Sequence, residues 1–456
     1  MSGASGASPR WVAYDVLRAV QDSDAYANLL LPRAIARAGL AGADAALATE
    51  LTYGTLRREG TYDAIIADAA GRAVAEIDPP VLDALRLGAH QLLAMRTPAH
   101  AAVNETVRQV RQAVGKSAAG FANAVLRRVS ERTASEWEER LASRARSDDE
   151  RLAVRHSHPV WVIRAFRRAL AAEGRTDELE DLLAADNTAP VVTFAALPGL
   201  AAVPDGAVPT PFSPIGFRSD GGDPGAVITA SSGRVRVQDE GSQLAALALT
   251  RAAAVRAGER WLDLCAAPGG KTAVLAAEAL AHGAMLEANE LSHARAALVR
   301  DSVAGVPIAV PVSEEDGRTR AGRARYDRIL VDAPCTGLGA LRRRPEARWR
   351  KRPSDVPELA VLQGELLDAA IGALTPGGIV AYVTCSPHLA ETAAIVAEAK
   401  RRHGGAVAEL DARSVLADVA SSPIDLPVPT DGSGRAQLWP HRHGTDAMSI
   451  TLLRRV

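Results

Sequence analysis

From Asp239 to the C-terminus, short apolar runs alternate with longer helical ones, and this alternation restricts the fold more than any other feature of the chain. RWLDLCA, AMLEANEL, IAVPV, YDRILVDA, GGIVAYVTCS and MSITLLRRV read as strands. DEGSQLAALALTRAAA, KTAVLAAEAL, HARAALVRDSV, ELAVLQGELLDAAIGAL and ETAAIVAEAKRR read as the helices between and around them. Strands joined by crossover helices predict an α/β fold: an open, doubly wound, mostly parallel sheet with helices on both faces. Ligands of such a sheet bind in the crevice beyond the carboxyl ends of its strands. All three cysteines fall at such ends: Cys265 in WLDLCAAPGGKT, Cys335 in RILVDAPCTGLG and Cys385 in GGIVAYVTCSPH.

Three scattered thiols do not make a disulfide framework, and MSGASGASPR lacks the apolar stretch of a secretory signal. The expected compartment is therefore reducing: the cytoplasm. No apolar run approaches the ~18 residues that span a bilayer, so no membrane partner is expected. Basic residues number 53 and acidic ones 54, a formal net charge of −1. That balance neither announces nor excludes a nucleic-acid partner, because binding depends on where the charge sits. Lysine occurs only at 116, 271, 351 and 400, so the positive charge is nearly all arginine.

At 456 residues the chain is too long for one ordinary core. Residues 1–8 are small and polar and are expected to form a disordered tail. Over 9–139, apolar residues recur at three- and four-residue spacing in WVAYDVLRAV, VLDALRLGAHQLLAM and AAVNETVRQVRQAV, which predicts an all-α domain. Asp78-Pro79-Pro80 is a helix start. Residues 140–238 read as a helical linker, with a helix opening at His158-Pro159-Val160-Trp161, and a small α+β connector built from runs such as PVVTFAAL and RVRVQ. The α/β domain fills 239–456.

The loop DLCAAPGGKT, residues 263–272, follows a strand and opens a helix. It is neither GxGxxG nor GxxxxGK[ST], so the dinucleotide and phosphate-loop fingerprints both fail. Glu290, Asp316 and Asp332 follow successive strands, one per β–α unit. Glu290 stands about 20 residues past the glycine turn, where an acid can hold a ribose; Asn289 is its rival. Cys335 and Cys385 end two strands separated by one crossover helix. If those strands are neighbours, their tips lie ~5 Å apart, and both thiols can reach one planar substrate. Cys265 reads more simply as a small buried hydrophobe. There is no CxxC pair and no metal is expected; His441 and His443 lack a matching ligand set and suit a structural or substrate-contact role. His388 and Glu391 read as local acid/base helpers or as helix-start residues. LRRRPEARWRKRP, residues 341–353, combines arginine with Trp349, a mixture suited to phosphate contact and base stacking, and is expected to rim the site.

DLCAAPGGKT, DGR, DAPCTGLG and TCSPHLAET resemble the S-adenosylmethionine-dependent RNA 5-methylcytosine methyltransferases, most closely the bacterial Sun/Fmu type that acts on cytosine 967 of 16S ribosomal RNA. The likeness covers nearly the whole chain. VQDEGSQLAA, SHPVWVIRAF and WPHRHGTDAMSITLLRR are similar to further family segments. YANLLLPRAI, TELTYGTLRR, AVNETV and FANAVLRR resemble the RNA-binding fold of the NusB antitermination factor. The resemblance implies a Rossmann-like methyltransferase sheet behind a NusB-like domain, with RNA, foremost 16S rRNA, as partner and a monomeric state. It implies that Cys265, Ala266, Ala267, Pro268, Gly269, Gly270 and Lys271 surround S-adenosyl-L-methionine. Glu290 would meet its ribose, Asp316 its adenine side, and Asp332 its methionine end or the target base. Cys385 would be the nucleophile, and Cys335 would help release the product. Asp332 in its acid form would support protonation of the cytosine. Two departures stand out: the family often carries Asp where Glu290 stands, and Asn where Thr392 stands. Competing expectations are the same chemistry on tRNA or another rRNA site, a non-catalytic antitermination or assembly factor, and a nicotinamide oxidoreductase on the same fold.

Overall fold

The computed structural model describes residues 8–23, 26–218, 224–320 and 325–456. The tail expected over 1–8 lies, apart from Ser8, outside the described residues. Contacts divide the chain into two compact units.

The first unit is helical and comprises the described residues up to Arg164 together with Leu183–Thr188 and Leu341–Lys351. Its helices run over Pro9–Ser23, Ala27–Ala38, Gly42–Arg57, Glu59–Ala70, Pro79–Leu93, Ala99–Ala113, Lys116–Val129, Ala134–Ala142 and Asp148–His156. Pro79 and Pro80 open the fifth of these, where the missing N–H costs nothing. That helix is buried almost all round, so its polar side chains must pair. Arg86 takes Asp63 and Asp83 within the helical core, and Arg18 also reaches Asp83. Thr133 and Glu136 form a reciprocal capping box at the start of Ala134–Ala142. Trp137 of that helix is buried and donates to the Val129 carbonyl.

The second unit carries two sheets. The smaller is antiparallel and consists of β1 (Thr193–Ala196), β2 (Val208–Pro209), β3 (Gly216–Arg218) and β4 (Val235–Val237), in the order β2-β3-β1-β4. Phe194 stacks on Phe217 in its core. The larger contains β5 (Arg260–Asp263), β6 (Met285–Asn289), β7 (Val312–Ser313), β8 (Tyr326–Asp332), β9 (Leu374–Thr384), β10 (Val407–Leu410), β11 (Ala436–Gln437) and β12 (Ser449–Arg455). Its order is β10-β12-β9-β8-β5-β6-β7, with β11 also on β12. From β9 to β7 all pairs are parallel; β12 lies antiparallel to β9 and β10.

Both faces of this sheet are covered, and the residues show it. Trp261, Leu330, Ile379, Ala381 and Val383 face the helices Glu240–Arg251 and Gly270–His282. Leu262, Ile329, Val331, Val380 and Tyr382 face Asp355–Ala373 and Ala393–His403. Strands buried on two faces read as continuous apolar runs, which is why RILVD and GGIVAYVT stand out. The chain moves from β5 outward to β6 and β7, then returns to place β8 on the other side of β5. The crevice of an open sheet forms where the strand order reverses, here between the ends of β5 and β8.

Candidate active site

The loop after β5 is shaped by its glycines. Gly269 has φ +102°, and a Cβ there would come within 2.5 Å of the Ser302 side chain and 3.0 Å of the Val299 backbone. Only glycine lets the loop lie so close to the helix His293–Val303. Gly269 N–H closes onto the Ala266 carbonyl, and Ser302 donates to the Pro268 carbonyl. Gly270 then begins the helix Gly270–His282.

Asp263, at the tip of β5, is fully buried, and its Oδ2 accepts the Thr272 hydroxyl at 2.7 Å. Burial pushes its carboxyl up to about 7; the Thr272 hydrogen bond opposes that and the Asp332 charge adds to it. Its Oδ1 has no partner among the described residues, and neither amide atom of the buried Gln238 has one. Gln238 packs beside Gly270. Sequence reading passed over both residues. Asp263 could have been found, because a carboxylate closing an apolar strand at the switch point is a recurrent ligand position; nothing in the sequence marks Gln238.

At the next tip, Asn289 is committed to structure. Its amide donates to the Leu264 and Glu315 carbonyls, and its oxygen accepts from Ser313 and Glu315. Glu290 is also buried, with Oε1 accepting the Ser292 N–H and Oε2 3.5 Å from Arg295. Asp316 follows β7, half-buried and held by Arg318, whose hydrogen bonds keep its carboxyl below the usual range. Its neighbour Gly317 packs on Leu264, so this turn lies against the β5 loop.

At the tip of β8, Asp332 Oδ2 meets Lys271 Nζ at 2.7 Å. Burial works against the Lys271 ammonium, but the charge and hydrogen bond of Asp332, with the Cys385 and Asp263 charges, raise it above its ordinary value. Asp332 pairs in register with Val383 of β9, which brings the loops after β8 and β9 together. There Cys335 and Cys385 lie Sγ to Sγ at 3.5 Å. A hydrogen bond to Cys385 is the main cause holding the Cys335 proton; burial and the charges of Cys385 and Glu391 push the same way. Cys265 is half-buried, and burial pushes its thiol up as well. The three cysteines are unbridged.

Of the remaining candidates, Glu391 precedes the helix Ala393–His403 and is wholly buried among side chains of both cysteine loops. The His388 ring accepts the Ala390 N–H, and burial lowers its basicity. His443 accepts the Trp439 N–H and His441 pairs with Glu178, so both serve structure. The run 341–353 divides by exposure: Arg344, Trp349 and Arg352 are exposed, whereas Leu341, Arg342 and Ala347 are buried. Residues 341–351 belong to the helical unit, where Arg348 is fully buried and donates to the Arg57 and Asp186 carbonyls. No group of three metal-ligating side chains occurs among the described residues, and no helix there is long and apolar enough to cross a membrane.

The residues around the β5 loop fit an organic cation with a ribose and an amino acid end, as S-adenosylmethionine has. A glycine turn allows close approach, an acid sits at the β6 tip, and unpartnered buried polar atoms of Asp263 and Gln238 flank the loop.

Residues 251–454 match a family described as 16S rRNA methyltransferase RsmB/F, and residues 7–131 match the NusB family. Rv1407 of Mycobacterium tuberculosis, which bears the general name methyltransferase, is 49% identical over 454 residues, covering 98% of this chain and 96% of its own. Ribosomal RNA small subunit methyltransferase B of Pseudomonas putida is 33% identical over 418 residues, covering 89% and 91%. The crystal structure of PH0851 superposes with a TM-score of 0.79 at 22% identity, covering 100% of both chains.

Proposed function

Because this chain belongs to the RsmB/F family of S-adenosylmethionine-dependent 16S rRNA methyltransferases, we propose that it methylates carbon 5 of a cytosine through a transient bond between Cys385 and the base. The observation that carries this reading is the pair of unbridged thiols 3.5 Å apart, at the ends of two adjacent parallel strands, beside the Lys271–Asp332 pair.

Cys265–Lys271, Glu290, Asp316 and Asp332 are the residues we assign to S-adenosylmethionine. When bound, it supplies an electrophilic methyl group. Carbon 5 of cytosine is a poor nucleophile, and a thiolate at carbon 6 corrects that. The Cys385 sulfur–carbon bond forms, electron density moves onto carbon 5, and ring nitrogen 3 takes a proton from Asp332 in its acid form. After methylation, carbon 5 still carries its original proton. A base must remove it, and ring nitrogen 3 must return its proton to Asp332, so that the ring double bond is restored and the sulfur–carbon electron pair goes back to Cys385. Cys335 suits this step. Before Cys385 bonds to the base, its sulfur is the chief group holding the Cys335 proton. Once that sulfur is bonded to carbon, its charge and accepting capacity are lost, and Cys335 ionises more easily. The reacting base must be unpaired or flipped out, and the helical unit is the part we assign to gripping the surrounding RNA.

Cys335→Ala incubated with RNA and S-adenosylmethionine should accumulate a covalent protein–RNA adduct that survives denaturing electrophoresis. Adding Cys385→Ala should abolish it. Normal turnover by the single variant with nothing trapped would sink the assignment. Bisulfite sequencing of total RNA from a deletion strain should lose one 16S rRNA signal; a lost tRNA signal instead would redirect the substrate.

A further inference from the structure

We propose that Glu391 is the positioning residue that sets the separation of the two cysteines. The inference rests on the two-thiol reading above and concerns the same site. Each oxygen of the Glu391 carboxylate serves the paired loops. Oε1 accepts the Thr336 N–H at 2.8 Å and the Gln363 amide at 3.2 Å. Oε2 accepts the Thr336 hydroxyl at 2.5 Å and the Ser386 hydroxyl at 2.7 Å. Thr336 directly follows Cys335, and Ser386 directly follows Cys385. The Gln363 amide also donates to the Pro334 carbonyl at 2.8 Å, so it grips the other side of Cys335. The main chain of Glu391 is fixed in turn, because its carbonyl accepts the Tyr382 hydroxyl of β9 at 2.7 Å.

The choice of residue matters. Strand pairing alone leaves neighbouring tips ~5 Å apart with their side chains free to diverge. Burying a carboxylate is costly unless donors surround it, and an apolar side chain would close the same space more cheaply. A carboxylate, however, is acceptor-only on both oxygens, so it can hold donors from two loops at once. Glutamine would turn an NH₂ group toward donors and break the clasp on one side. Thr336 and Ser386 also touch each other at 3.1 Å, which closes the triangle. The Glu391 charge further helps Cys335 keep its proton.

The test is Glu391→Gln in the full-length protein, with Ser386→Ala as a milder variant should the first fail to fold. The first readout needs no RNA. Each protein is equilibrated in oxidised and reduced glutathione, and the Cys335–Cys385 disulfide is quantified by alkylation and peptide mass, with Cys265 as the internal reference. Wild type should close the disulfide readily. Glu391→Gln should lower the closing equilibrium constant by about tenfold or more, since enforced proximity is what raises it. Ser386→Ala should fall between. The second readout is kinetic: Glu391→Gln should bind S-adenosylmethionine as wild type does, lose kcat and accumulate adduct, because release depends on the displaced Cys335. A disulfide equilibrium identical to wild type in both variants, even with a lowered Tm, would overturn the proposal. If Cys335→Ala traps no RNA, the two-thiol chemistry falls, yet the disulfide measurement still decides what Glu391 does.

Discussion

Asp263 shows how much one side chain can carry. It is fully buried at the end of β5, with its carboxyl raised to about 7. An unfolded aspartate titrates near 4. A carboxyl raised in the folded state binds protons more tightly there, so folding loses stability as pH rises from about 4 through 7. A shift of this size corresponds to up to about 4 kcal/mol. Asp263→Asn keeps a partner for the Thr272 hydroxyl but cannot ionise. In urea unfolding without cofactor, the variant should therefore gain on wild type across pH 4 to 7 and level off above. A difference that stays constant with pH would mean that the carboxyl is not held protonated. The same residue explains a gap in the sequence reading. Glu290, Asp316 and Asp332 stood out because each follows a strand, whereas Asp263 was absorbed into the glycine motif that it introduces. Asn289 and Glu290, adjacent and alike on paper, separate only in space: one is consumed by four hydrogen bonds that tie strand ends together.

At the scale of elements, the loop after β5 and the helix it opens make a paired prediction. Gly269 lies at positive φ with no room for a Cβ, whereas a Cβ on Gly270 would make only ordinary contact with Gln238 at 3.5 Å. Gly269→Ala should cost about 1–3 kcal/mol in backbone strain, with further loss from pushing the loop off His293–Val303. Gly270→Ala should stay within about 0.5 kcal/mol in stability, and calorimetry should still find its S-adenosylmethionine affinity reduced, since the loop's close approach is lost. Equal stability effects at the two positions would contradict this geometry. Why the elements themselves were legible follows from burial. β5, β6, β8, β9 and β12 carry apolar runs because helices cover both faces, so composition alone announces them. β10 and β11 were missed: VAEL and AQ are too short to show a period, and β10 is an edge strand with one neighbour. Within the basic run at 341–353, Arg348 shows the converse. Arginine density is visible in a sequence, but whether a guanidinium meets solvent or a cage of carbonyls is not.

The whole chain is threaded in a way that no local pattern reveals. It leaves the methyltransferase unit after Ala340, contributes Leu341–Lys351 to the helical unit, and returns at Arg352. Within the helical unit this short segment is deeply built in. Arg348 donates to the carbonyls of Arg57, Ser157 and Asp186 and to the side chain of Asn187, at 2.7 to 3.2 Å. Glu346 accepts the Ala27 N–H, and Trp349 packs so closely on Gly60 that a Cβ there would meet its ring at 2.2 Å. Burial pulls the Arg348 guanidinium down to about 10, with Asp186 opposing, so it remains charged at neutral pH. A planar fork serving acceptors from three stretches of chain has no lysine equivalent. Arg348→Lys should leave at least one buried carbonyl unpaired, at about 1–3 kcal/mol each. A single unfolding free energy is poorly defined for a chain of two units, so the measurement must be local. Amide exchange around Arg57, Ser157 and Asp186 should quicken by about tenfold or more, while exchange in β8 and β9 stays as in wild type. Arg33→Ala, which removes an exposed arginine from the same unit, should change neither. If Arg348→Lys exchanges like wild type at all three places, the arginine cage contributes nothing to the helical unit, and the threading through 341–351 would need another physical cause.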